Sequence, residues 1–120
     1  MWSTPTTFDR LCDALEDAGH ITAAPALPFH DRPADLPPPP ELGRLSITAY
    51  VDHLVAEAGK LAAAAGQPPV ILGHWMGGLL AQLVAVRVPH AGLVLLSPAA
   101  AANAQAPSIA PLRTLKHVIR

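Results

Sequence analysis

The run Val70–Val86, "VILGHWMGGLLAQLVAV", constrains the fold of this chain more than any other stretch. Pro69 to Leu72 is continuously apolar but too short for a helix, which fits a strand buried on both faces. A helical pattern follows at once from Met76 to Val88, with Leu79, Leu80, Leu83, Val84 and Val88 as its apolar positions. Between the two lies Gly73-His74-Trp75-Met76-Gly77-Gly78. So abrupt a passage from strand to helix displays one residue, Trp75, on a sharp turn. Glycines two before and two after it let strand and helix pass close without colliding Cβ atoms, and Gly78 extends that allowance.

The rest of the chain surrounds this unit with more of the same kind. Thr4 to Gly19 reads as a helix, with Phe8, Leu11, Cys12, Leu15 and Ala18 at helical spacing and Gly19 to close it. Ile21 to Ala24 reads as a short strand stopped by Pro25. Residues 25–45 form a proline-rich loop, in which four consecutive prolines favour extended geometry. Ser46 caps a long helix running to about Ala65, and Gly66 stops it. Gly92 to Leu96 is a second buried strand. Uniformly apolar strands alternating with helices predict an α/β fold: a mostly parallel sheet of about three strands with helices on both faces, in one domain over residues 1–120.

Composition narrows the function. The 120 residues carry a formal net charge of −1, and the densest cation pair, Arg113 and Lys116, lies near the C-terminus. A nucleic-acid partner therefore has no electrostatic support. No apolar run reaches the roughly 20 residues of a membrane span, and the N-terminus lacks the features of a signal peptide. A soluble cytoplasmic protein is the expectation. The lone Cys12 sits on an apolar helix face and reads as core packing. His30, Asp31, His53 and His90 show no metal-ligand spacing, so neither a metal nor another cofactor is expected.

The frame Gly73-His74-Trp75-Met76-Gly77 matches the nucleophile elbow G-x-S-x-G at every position but the middle. With its flanking elements, the chain resembles the α/β-hydrolase family of esterase- and lipase-like serine hydrolases. The segment from Thr7 to Pro33 is similar to the family's first helix and the strand and loop after it. Tyr50 to Leu61 is similar to the helix before the elbow, and Gly92 to Ala99 to the strand after it.

The resemblance implies a set of roles and a set of losses. Trp75 falls at the nucleophile position, but an indole offers only an N–H donor and is not competent there. The backbone N–H of Met76, and a loop at Trp2, would correspond to the oxyanion hole. By the family's strand order the chain starts late, lacking the strand between Ile21–Ala24 and Val70. It also ends early, before the acid and histidine of a triad, with residues 98–120 as the start of a lid-like segment. The expectation is a catalytically impaired hydrolase. The alternatives are a ligand-binding pseudoenzyme, or a non-functional fragment of a longer hydrolase. A small apolar acyl or ester-like ligand, and a homodimer that completes the sheet, are the partners this suggests.

Three further residues are candidate pocket-lining positions. His74 should point away from Trp75 towards neighbouring loops. Ser97 ends the last strand, where Ser-Pro is also an ordinary terminator. His30, beside Asp31, sits in the long loop, where a solvated turn is the plainer reading.

Overall fold

The structure, a computed structural model, describes residues 4–33 and 35–100. Residues 4–19 divide into a 3₁₀ turn, Pro5–Phe8, and helix α1, Asp9–Asp17. Proline opens the 3₁₀ turn, where its missing N–H costs nothing. Gly19, at φ 87°, closes α1 as expected. Its N–H donates to the Glu16 carbonyl at 2.8 Å and that of His20 to the Leu15 carbonyl at 3.0 Å, the paired pattern of a left-handed helix stop.

Helix α2, Ile47–Ala65, begins where Ser46 Oγ accepts the Ala49 N–H at 3.1 Å. It ends at Gly66, which is left-handed at φ 67°. Strand β1, Val70–His74, runs two residues further than the apolar run indicated. Helix α3, Met76–Ala85, stops three residues short of Val88, because the residue before a proline, here Pro89, is pushed out of helical geometry. Strand β2, Gly92–Leu96, matches the sequence reading. It pairs in parallel with β1, from Val70 opposite Gly92 to His74 opposite Leu96.

The core forms where α2 meets α3 over this pair of strands. Tyr50 and Val51 from α2 meet Leu80 and Val84 from α3, with Leu80 fully buried. Ile71 packs from β1, and Leu27, Leu42 and Leu45 pack from the proline-rich segment. That segment is therefore part of the core wall. It contains a 3₁₀ turn, Pro40–Arg44. It is also tied to α2, since His53 Nε2 lies 2.9 Å from the Ala26 carbonyl. Arg87 and Asp52, 2.6 Å apart on the surface, link the end of α3 to α2.

Two expectations need correction. Ile21–Ala24 is not a strand: the sheet has two strands among the described residues, not about three. Extended backbone becomes a strand only beside a ladder partner. No described segment lies alongside Ile21–Ala24 to pair with it, and Ile21 is 62% exposed. The second concerns Cys12, read as core packing: helix α1 packs on its own 3₁₀ turn and not on the sheet. It stands across a cavity from β1, and its Cys12 lines that cavity rather than filling a packed core.

Two predictions follow from this core. Leu80→Ala should lower the unfolding free energy by about 2–5 kcal/mol, whereas Leu83→Ala, at a position 36% exposed on the same helix, should cost under about 1 kcal/mol. Denaturant titration of both variants checks this. Burial raises the Tyr50 pKa above its ordinary 10.0. The stability this contributes is full below the unfolded pKa and is lost as pH rises through the folded one. Tyr50 is the sole tyrosine, so tyrosinate absorbance during alkaline titration reads this group alone. It should ionise later in the folded chain than in the urea-unfolded one.

Candidate functional site

Trp75 joins β1 to α3 with φ 52° and ψ −116°, a conformation that costs a non-glycine residue on the order of 1–3 kcal/mol. Its own hydrogen bonds hold it there. Its N–H donates to the Leu96 carbonyl at 3.1 Å, fastening the turn to β2. Its carbonyl accepts the Gly78 N–H at 3.0 Å, the Leu79 N–H at 3.4 Å and the Ala99 N–H at 2.7 Å.

The glycines explain how the elements come so close. A Cβ on Gly73 would lie 2.6 Å from the Gly77 carbonyl carbon and 2.8 Å from Ala81 Cβ. A Cβ on Gly78 would lie 2.7 Å from Pro98 Cβ. Gly77 has open space around it, so its lack of a side chain is not needed for packing.

The Trp75 indole is 45% exposed and lines a cavity of about 1090 Å³. Phe8, Leu11 and Leu15 wall this space on one side, and Val70, Leu72 and Leu54 on the other. Met76 and Gly77 open α3 beside it. At a helix start the first backbone N–H groups have no partner within the helix, so such donors can face an anionic or carbonyl oxygen.

The other candidates separate. His74 and His30 line the same cavity, and Ser97 does not. His30 corrects the solvated-turn reading, because it is buried and packs edge-on to Tyr50, with ring centroids 6.0 Å apart and Nε2 3.5 Å from Tyr50 Oη. Its burial depends on α2, twenty residues away, which no local pattern reveals. Ser97, at φ 42°, is exposed at the end of β2. Trp2 and most of residues 98–120 lie outside the described residues.

A sequence profile of the alpha/beta hydrolase family matches residues 1–118. The chain belongs to that family. No curated protein and no solved structure gives a significant match. Within this alpha/beta hydrolase chain, no group of three metal-binding side chains occurs among the described residues. No described helix is long and apolar enough to cross a membrane. Glu57 is the last aspartate or glutamate within these 120 residues. Lys60, hydrogen-bonded to Glu57 at 2.6 Å, holds that carboxyl below its ordinary range, as suits a surface ion pair on α2.

The close crossing of β1 and α3 yields a prediction. Gly73→Ala should destabilise the fold by about 2–4 kcal/mol, because backbone must move to admit the methyl. Gly59→Ala, in open space on α2, should stabilise by about 0.5–1 kcal/mol through helix propensity. Thermal unfolding of the two variants should shift in opposite directions.

Proposed function

We propose that this alpha/beta hydrolase-family chain is a hydrolase scaffold that does not catalyse ester hydrolysis efficiently. The observation that carries the reading is Trp75. It occupies the tight strand-to-helix turn, where the family pattern would set an esterase- or lipase-like serine, and an indole cannot attack a carbonyl. Met76 would supply one oxyanion donor at the start of α3, with Trp2 corresponding to the second. A donor pair without a nucleophile stabilises a charge that nothing generates. Gly73, Gly77 and Gly78 act in this reading as the frame of the turn, and His74, His30 and Ser97 as bordering residues without a catalytic step.

A second reading, a non-catalytic binding protein, is favoured by the cavity. About 1090 Å³ of largely apolar space adjoins the half-exposed indole. A volume of that order takes a drug-sized ligand. In this reading Trp75 is a contact surface, and the turn positions it as it would a nucleophile.

The test is hydrolysis of a short-chain p-nitrophenyl ester by the unmodified chain and by Trp75→Ser. Both should run at background, because within these 120 residues no aspartate or glutamate lies after position 75 to orient a base. Clear turnover by the unmodified chain would overturn the reading. Turnover by Trp75→Ser alone would show that the loss is confined to one residue.

A further inference from the structure

The proline-rich segment reaches the core through its leucines, but its run of prolines does not follow them in. Pro37, Pro38 and Pro40 are exposed, and Leu36, immediately before them, is 46% exposed. Pro39 is half-buried. A proline ring fixes φ near −65°, and a residue before proline is pushed to extended ψ. Residues 36–39 each precede a proline, so the sequence itself dictates a polyproline II strip. Pro39 has the φ −67° and ψ 146° of that geometry. At three residues per turn Pro37 and Pro40 share one edge of the strip, and both face solvent.

The strip is fastened at both ends. The Leu36 N–H donates to the Pro33 carbonyl at 3.2 Å, and Arg32 donates to the Pro37 carbonyl at 3.5 Å. At the far end the Leu42 N–H donates to the Pro39 carbonyl at 3.0 Å, in the 3₁₀ turn that carries Leu42 to the core. The Leu36 and Pro38 carbonyls accept no hydrogen bond among the described residues. A strip held in this way loses little further freedom on binding, which is where an ordinary loop loses affinity.

Asp35 and Glu41 bracket the prolines, both exposed and neither ion-paired among the described residues. Arg32 already donates within the segment, and Arg44 lies three residues beyond Glu41. The strip is therefore an apolar ridge with a negative charge at each end. Such ridges are recognised by aromatic-lined grooves, where rings pack on the prolines and their polar tips donate to bare carbonyls. The described residues build no such groove. Within these 120 residues the aromatic side chains number five, two Trp, two Phe and one Tyr. Of these Tyr50 is in the core, and Phe8 and Trp75 line the cavity.

We propose that residues 35–41 are a docking strip for another protein, one whose groove of aromatic side chains is bordered by lysine or arginine. The aromatic floor takes the exposed proline edge, and the cationic border meets Asp35 and Glu41. The proposal draws on neither the cavity nor the catalytic reading.

The full chain and a purified EVH1 domain, a module that reads proline strips, test this. The domain used carries lysine or arginine at both ends of its groove. In the free chain a soluble gadolinium chelate should broaden the ring-proton NMR signals of Pro37 and Pro38, and added domain should relieve the broadening. Calorimetric titration should give a Kd on the order of 100 μM. Pro37→Ala with Pro38→Ala removes two rings and loosens the backbone, and should weaken binding by about tenfold or more. Asp35→Asn with Glu41→Gln should weaken it about threefold to tenfold at low salt, and flatten its salt dependence. All four side chains are exposed, so both variants should unfold at the temperature of the unmodified chain.

Ring signals left sharp by the chelate in the free chain would sink the proposal, because the chain itself would then cover the strip. Absence of binding at about 1 mM domain would sink it too. So would binding by either variant within about twofold of the unmodified chain, since the prolines or the acids would then contribute nothing to recognition.

Discussion

The close crossing of β1 and α3 is the constraint on which the rest of the fold depends. Gly73 leaves no room for a methyl group against Gly77 and Ala81, so α3 lies directly on the strand pair. That approach brings Leu80 and Val84 down onto Tyr50 and Val51, the buried apolar cluster of the described residues. The Trp75 carbonyl, accepting from both α3 and Ala99, ties the helix start to the chain leaving β2. Three separate elements therefore converge on one residue. Local strain at that residue persists because its neighbours fix it from three directions.

What was legible in the sequence was local. Ser46 and Gly66 bound α2 because a cap and a left-handed stop are properties of single residues and their immediate neighbours. The turn at Trp75 was legible for the same reason, since glycine spacing encodes a close approach without reference to distant chain. The parallel pairing followed from strand composition. What was not legible depended on partners. Ile21–Ala24 has the composition of a strand, but composition does not supply a neighbour. His30 looked like a loop residue until α2 placed Tyr50 beside it.

The proline-rich segment shows the same division in reverse. Its prolines announce irregular backbone, and irregular backbone usually runs over the surface. Here the leucines decide its position. Leu27, Leu42 and Leu45 reach the core from three points along the segment, and the His53–Ala26 hydrogen bond ties its start to α2. With helices this few and aromatic residues this scarce, leucines from the loop supply core volume that a larger domain would take from further helices.

The turn also separates scaffold from chemistry. Nothing that fixes the backbone at residue 75 requires a serine side chain there: the restraints are two glycines, one donated and three accepted hydrogen bonds, and the first turn of α3. A tryptophan can occupy the position because its bulk projects into the cavity instead of into the packed crossing. The fold thus survives replacement of the residue it displays, whereas a nucleophilic mechanism does not. Among the described residues β1 pairs with β2 alone, and Val70 and Leu72 of β1 line the same cavity as the indole.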